Sequence, residues 1–144
     1  MQANDLNIAR ERLKRKNLAL VIARKGEVIF ETSSHGIGGL LRAIRELDKD
    51  MKNSSVADKI VGKAAALLCL HAEVLAVFAV TASEKGMQVL KEANVLYQFE
   101  NGVPHVLNSV RSGICPFEKL VSNISDPKEA YEKLRLLAAE RRLL

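Results

Sequence analysis

The sequence contains no tryptophan, and aromatic residues make up only 4% of its 144 positions. A core built from this chain must therefore be aliphatic, formed from leucine, valine, isoleucine and alanine. Hydrophobic residues account for 48% and charged residues for 27%, proportions that are typical of a soluble globular protein. A chain of this length predicts a single domain over residues 1–144.

Cysteine is also scarce, because Cys69 and Cys115 are the only two. Two cysteines make no disulfide framework, and together with three scattered histidines they offer no metal-ligand spacing. The N-terminus lacks an apolar segment of the secretory type, and no apolar run reaches the roughly 18–20 residues of a membrane helix. We therefore expect a cytoplasmic protein with no metal, no other cofactor and no membrane partner.

The net charge of +5 suits an anionic partner but does not by itself indicate nucleic acid. Much of the positive charge lies in a predicted helix over residues 3–16. This helix is either a basic arm for nucleic acid or a solvated surface. No aromatic residue interleaves with its charges, which favours the solvated surface and argues against nucleic acid as a partner. The charged residues are Arg10, Arg12, Lys14, Arg15 and Lys16.

Apolar periodicity and turn residues predict alternating helices and strands after this first helix. Because a hairpin is followed by strand–helix–strand units, we expect a mixed sheet within a three-layer α/β/α sandwich. The predicted strands are 18–24, 27–32, 74–80, 95–99 and 103–108; the predicted helices begin with one whose apolar positions recur from Leu40 to Leu47, and continue with 55–70, 84–93, a short one from Pro116, and 127–143.

Two segments carry a resemblance to a known family. "SSVADKIVGKAAALL" (residues 54–68) precedes a buried strand, and "SGICPFEKL" (112–120) follows later. With the order of elements, they resemble an uncharacterised prokaryotic family that has a cytidine-deaminase-like fold and no assigned activity. The resemblance runs from about residue 18 to residue 131. It implies a deaminase-like core over that range, with helical extensions at both ends.

His71-Ala72-Glu73 matches half of the zinc-deaminase signature, in which a histidine ligand is followed by a glutamate that transfers protons. In zinc deaminases the motif lies at the N-terminal end of the central helix, whereas His71 is predicted at the C-terminal end of helix 55–70. The positional equivalent would be Val56-Ala57-Asp58. Residues 81–86, after the central strand, contain no cysteine. We interpret the match as coincidence and expect no zinc.

The predicted helix 55–70 is apolar on most sides and polar only near its start. A binding site for a nucleotide or similar anion there would use the helix N-terminus and two lysines. Asp58 would be a ligand contact or a catalytic group. The alternative is a capping box between Ser55 and Asp58, with the lysines reaching water. The residues predicted to bind the ligand are Ser54, Ser55, Lys59, Gly62 and Lys63.

Cys115 precedes Pro116, which suits the first position of a helix. A cysteine at that cap lies near free amides, where a thiol pKa tends to fall. Cys115 is therefore a candidate nucleophile or redox residue, with His105 as a possible base. The alternative is a small buried residue. Glu118 lies three residues further on, as in a capping box, and is a further candidate ligand contact.

Three functions remain open from the sequence. The first is a metal-free binding module for a nucleotide or a similar anionic small molecule. The second is an enzyme, either a hydrolase that uses Asp58 without zinc or a thiol-dependent activity at Cys115. The third is a structural subunit with a vestigial pocket. In each case we expect a homodimer or a larger homo-oligomer, because the aliphatic helices leave apolar surface to cover.

Overall fold

A computed structural model describes residues 2–108 and 110–144. The first half of the chain forms a helix, a hairpin and a second helix, and the second half alternates strands with helices. The strands are β1 (Leu20–Arg24), β2 (Glu27–Thr32), β3 (Ser55–Val61), β4 (Ala76–Ser83) and β5 (Leu96–Val103); the helices are α1 (Gln2–Arg15), α2 (Ile37–Leu47), α3 (Lys63–His71), α4 (Glu84–Glu92), α5 (Pro116–Leu120) and α6 (Pro127–Glu140), with a 3-10 turn at Asp48–Met51.

The five strands form one mixed sheet in the order β2-β1-β3-β4-β5. Strand β1 runs antiparallel to both β2 and β3. Strands β3, β4 and β5 run parallel to one another, with α3 and α4 as the crossover helices between them. The carboxyl ends of these three strands therefore lie at the same edge of the sheet.

Helices cover both faces of the sheet, as the sequence predicted. Helix α1 packs on one face through a small cluster that includes Leu6, Leu13 and Phe78. Helices α2, α3, α4 and α6 lie on the other side and enclose a larger aliphatic cluster, which includes Leu40 and Leu67. The three-layer α/β/α sandwich is confirmed.

The prediction of one long helix over residues 55–70 is wrong. Ser55–Val61 is a strand that pairs with both β1 and β4, and the helix begins only at Lys63. An apolar strand followed by an alanine-rich helix gives a continuous apolar run, and periodicity alone does not separate the two. The β-branched residues Val56, Ile60 and Val61 favour the strand.

A second predicted element is also absent. The strand predicted over 103–108 does not form, because β5 continues to Val103 and residues 104–108 contain only an isolated bridge between Leu107 and Ile114. The remaining helices and strands lie close to their predicted positions, with ends that differ by a few residues.

Asp5 fixes the turn between β1 and β2 from the neighbouring helix. Its carboxylate accepts hydrogen bonds from the amides of Lys25 at 3.1 Å and Gly26 at 2.8 Å. Both turn residues have positive φ, as hairpin turns of two residues require. The carboxylate is almost fully buried. Sequence reasoning missed this contact, because it joins positions twenty residues apart.

Candidate functional site

The start of helix α3 is closed by a carboxylate from a distant part of the chain. Glu118 of α5 accepts one hydrogen bond from the Lys63 amide at 2.9 Å and another from the Ala64 amide at 2.8 Å. Each oxygen satisfies one of the amides that a helix N-terminus leaves unpaired. The position that sequence reasoning assigned to a bound anion is therefore taken by the chain's own Glu118.

Two glycines permit this close packing. A side chain at Gly62 would overlap the Glu118 carboxylate and come within 2.8 Å of Val106. A side chain at Gly86 would come within 2.8 Å of the Val61 carbonyl. The start of α4 therefore packs directly on the β3–α3 connection. This arrangement brings the first turns of α3, α4 and α5 to one place.

A cavity of about 140 Å³ opens at this meeting point. Its walls come from the starts of α3 and α4, from α5 and from the segment after β5. They contain three lysines, each on a different helix. The lining residues are Lys63, Ser83, Lys85, Pro104, His105, Val106, Ile114, Glu118, Lys119 and Ser122.

A second cavity of about 400 Å³ adjoins the first and shares Lys63 and Lys85 with it. It lies between α3 and α4, and Leu67, Leu70 and Val89 give it an apolar wall. The smaller cavity lies beyond the carboxyl ends of β3 and β4, and the larger one extends from there along the groove between α3 and α4. In open α/β sheets, ligands bind in the crevice at the carboxyl ends of the parallel strands.

The lysines around the smaller cavity have no acidic partner within the described residues. The Lys63 ammonium donates to the Ser122 carbonyl at 3.1 Å. Lys85 and Lys119 are exposed at the cavity mouth. Glu118 is the one carboxylate in the lining, and both of its oxygens already accept amide hydrogen bonds. Lys85 and Lys119 were missed from the sequence, because nothing in their spacing connects them with Lys63.

The polar helix start predicted for residues 55–63 is wrong, because residues 55–61 lie along a strand, where successive side chains point to opposite faces. Ser54 and Ser55 are fully buried at the amino end of β3, away from the cavity. The Lys59 ammonium donates to the Asn17 side chain at 2.9 Å, beyond the end of α1. Of that group, the structure brings only Gly62 and Lys63 together with Glu118.

Asp58 lies in the middle of β3, so the capping-box interpretation of Ser55 and Asp58 is wrong. The carboxyl is half-buried, and its Oδ1 accepts a hydrogen bond from the Ile60 amide at 3.2 Å. Burial raises the pKa of Asp58 from its ordinary 3.8 to about 7, although hydrogen bonds from the Ile60 and Lys59 amides lower it in part. Among the described residues, Asp58 is not part of the lining of either cavity.

The two cysteines are free and differ in their surroundings. Cys69 is fully buried in α3, where burial and the nearby Asp58 charge raise its thiol pKa. Cys115 is half-buried at the start of α5, and its amide donates to the Val106 carbonyl at 3.0 Å. This bond places Cys115 beside the segment of His105, although no hydrogen bond joins their side chains in the described structure.

Cys115 should react with an exposed-thiol reagent faster than Cys69, because the thiolate is the reactive form and Cys69 is both buried and hard to ionise. The measurement is the rate of labelling of the folded protein by a disulfide reagent, with Cys69→Ala and Cys115→Ala as the matched single-cysteine variants. We expect the Cys69→Ala protein to label at nearly the wild-type rate. A faster reaction at Cys69 would contradict the assignment.

His71 lies at the C-terminal end of α3, as predicted, and stacks on the Tyr131 ring at a centroid distance of 4.3 Å. The comparison with Val56-Ala57-Asp58 is wrong, because these residues belong to a strand and not to the start of a helix. Across residues 2–108 and 110–144, no three histidine, cysteine, aspartate or glutamate side chains are grouped as metal ligands. The absence of zinc remains a prediction for elemental analysis.

Several basic residues of α1 are paired with side chains of the sheet. Arg12 forms an ion pair with Glu31 at 2.9 Å, and Lys14 forms one with Glu100. Arg10 reaches the Gln98 side-chain oxygen at 3.4 Å. No helix in the part of the chain that the structure describes is long and apolar enough to cross a membrane.

The mixed sheet, its two helical layers and the cavity at the strand ends define an α/β protein with a cytidine-deaminase-like fold. Two structures of RibD from Acinetobacter baumannii share this fold, at TM-scores of 0.52 and 0.50 and 19% identity. Each match covers 68% of this chain and 35% of RibD, so this chain spans about a third of that protein. At this identity the likeness concerns the fold alone.

The chain belongs to the TM1506 family, a domain of unknown function (DUF1893), whose family model matches residues 8–137. The crystal structure of a DUF1893 family protein (TM1506) from Thermotoga maritima is similar over nearly the whole chain. It has a TM-score of 0.84 and 28% identity, and the match covers 97% of this chain and 92% of that one. Among curated proteins, no sequence matches this chain.

Proposed function

We propose that this domain binds an anionic small molecule, of the class that carries a phosphate group, in the cavity at the carboxyl ends of β3 and β4. The observation that carries the proposal is the convergence of Lys63, Lys85 and Lys119 on one small cavity from three separate helices. Three lysines that form no ion pair with a described residue repel one another, and a bound anion relieves that repulsion.

The ligand would contact lysine side chains and not the amides at the start of α3, because Glu118 occupies those amides. The negative charge of Glu118 repels an anion from that end of the cavity. An anion is therefore favoured on the side formed by Lys85 and Lys119. No metal is needed to hold the ligand in this arrangement, since the ammonium groups supply the positive charge. Charge-assisted hydrogen bonds to phosphate are among the stronger polar contacts in proteins.

The two cavities together suit a ligand with two chemically different parts. The smaller one, at about 140 Å³, matches a compact anionic group. The larger one begins at the same Lys63 and Lys85 and continues along Leu67, Leu70 and Val89. A phosphate beside the lysines would leave a less polar group in the space between α3 and α4. A nucleotide has this division, with a charged phosphate at one end and a planar base at the other.

Replacing Lys85 by alanine should weaken binding roughly tenfold or more, because one charge-assisted hydrogen bond contributes about 1.5–3 kcal/mol. The measurement is calorimetric titration of nucleoside mono- and diphosphates into the wild type and the variant. Lys91→Ala is the matched control, since Lys91 is an exposed residue in the last turn of the same helix. Equal binding by the wild type and Lys85→Ala, or no binding by the wild type at millimolar concentration, would contradict the proposal.

One observation also supports a thiol-dependent enzyme. The Cys115 amide donates a hydrogen bond to the carbonyl of Val106, the residue that follows His105 in the cavity lining. A thiol and an imidazole in adjacent segments are the pair that nucleophilic catalysis requires. A covalent adduct on Cys115, seen by mass spectrometry after incubation with a bound ligand, would support this second function. If the adduct still forms in His105→Ala, the His105 imidazole takes no part in the reaction.

A further inference from the structure

Strand β5 forms one edge of the sheet, and most of its residues are exposed. Every residue of β5 except Tyr97 and Val103 is exposed. Leu96 keeps 41% and Phe99 43% of its surface exposed, which is unusual for large apolar residues in a strand. In the described chain no segment pairs with this edge, so its outward amides and carbonyls face solvent. Long, exposed apolar edges pair readily with further strands.

The opposite edge of the sheet is protected by comparison. Strand β2 carries Glu27 and Glu31, and its pairing with β1 contains a register irregularity at Ile22 and Ala23. Charges and bulges are the usual means by which proteins prevent edge-to-edge association. Strand β5 contains no proline, lysine or arginine, and Glu100 is its only charged residue. The two edges therefore differ in the features that decide whether another strand can add.

The side chains of β5 divide between the two faces of the sheet. Tyr97 and Phe99 lie on the α4 face, where their rings stack at a centroid distance of 6.3 Å. Gln98 and Glu100 lie on the α1 face, where they contact Arg10 and Lys14 respectively. The edge thus presents an aromatic pair on one face and a mixture of opposite charges on the other.

We propose that β5 is a self-association edge, at which two copies of this chain join antiparallel strands into one continuous ten-stranded sheet. Pairing centred on Gln98 places Tyr97 opposite the partner's Phe99, and Phe99 opposite the partner's Tyr97. Aromatic residues opposite each other on neighbouring strands stabilise a sheet beyond their burial alone. The four rings form one cluster on the α4 face.

Charge complementarity favours a second copy over another partner. Arg10 has no ion-pair partner among the described residues, and its side-chain acceptor is the neutral oxygen of Gln98. In the pairing described, the partner's Glu100 lies diagonally across from Gln98, within reach of the Arg10 guanidinium. The contact occurs twice because a two-fold interface is the same on both subunits. Glu100, which pairs with Lys14 of its own chain, would then be shared with Arg10 of the other copy.

Sedimentation equilibrium of the full chain tests this interface. We expect the wild type to have twice the mass of one chain at micromolar concentration, and Phe99→Lys to be a monomer with an unchanged circular dichroism spectrum. Leu136→Lys is the matched control, since Leu136 is an exposed apolar residue on α6, and it should remain a dimer. A monomeric wild type would overturn the proposal, as would a Phe99→Lys variant that stays dimeric.

A charge exchange separates this interface from a nonspecific apolar contact. Arg10→Glu and Glu100→Arg should each weaken the dimer at least tenfold, because each places like charges near one another across the interface. The double variant should recover most of the affinity, since the exchange restores opposite charges between subunits. No recovery in the double variant would overturn the arrangement centred on Gln98.

Discussion

Glu118→Ala should lower the free energy of unfolding by about 3–6 kcal/mol, because two amides lose a charged partner and hydrogen bonds to charged groups contribute about 1.5–3 kcal/mol each. Among the described residues, no side chain other than Glu118 accepts hydrogen bonds from the Lys63 and Ala64 amides. The measurement is urea denaturation followed by circular dichroism. The expected loss would make Glu118 one of the most important polar residues of the fold.

Two controls test whether the loss of stability in Glu118→Ala comes from the hydrogen bonds at the start of α3. Glu132→Ala removes a carboxylate that pairs with Arg135 on the surface of α6, and it should change stability by less than about 1 kcal/mol. Added phosphate should partly restore the stability of Glu118→Ala, since the vacated helix N-terminus remains a favourable position for an anion. If both alanine variants lose the same small amount, Glu118 does not support α3 as the structure indicates.

Asp58→Asn should change how stability depends on pH. Because burial raises the pKa of Asp58 from 3.8 to about 7, the folded protein holds a proton between these values that the unfolded chain has released. The stability due to this proton is fully present below pH 3.8 and is lost as the pH rises through about 7. Asparagine carries no such proton and still offers an oxygen to the Ile60 amide.

We therefore expect Asp58→Asn to be more stable than the wild type at about pH 8, by roughly 2 kcal/mol. One pKa unit corresponds to about 1.4 kcal/mol, and solvent at the half-buried carboxyl reduces the full difference. The advantage should disappear at about pH 4. Urea midpoints at both pH values give the measurement, and Asp48→Asn, at an exposed residue, is the control. A constant difference between Asp58→Asn and wild type at both pH values would contradict the assignment.

The layers of the fold could be predicted from the sequence because apolar periodicity is a local property. The hairpin, the buried strand β4 and the helices α2, α4 and α6 each carry their own pattern, and their order predicts a mixed sheet. The prediction for residues 55–70 was wrong because a short buried strand and an alanine-rich helix together resemble a single helix. That one error placed Ser55, Asp58 and Lys59 on a helical surface that does not exist.

The candidate site depends on contacts between residues that are far apart in the sequence, so local patterns could not predict it. Lys63 and Glu118 were both candidates, but nothing in the sequence connects the first turn of α3 with a residue 55 positions later. Glu118 was expected to cap its own helix, and it caps another. Lys85 and Lys119 became candidate ligand contacts only from the structure, which brings the starts of α3, α4 and α5 together at one cavity. The close packing at Gly62 and Gly86 brings these helix starts together, and local sequence patterns do not predict such tertiary contacts.

The most direct test of the anion-binding cavity is a nuclear magnetic resonance titration of the labelled wild-type protein with a nucleoside diphosphate. The proposed site predicts saturable shifts that concentrate on the backbone signals of Lys63, Lys85 and Lys119 and on their neighbours in the smaller cavity. Signals from the amino end of β3, around Ser54 and Ser55, should stay in place. Shifts centred elsewhere on the molecule, or none at millimolar nucleotide, would contradict the account.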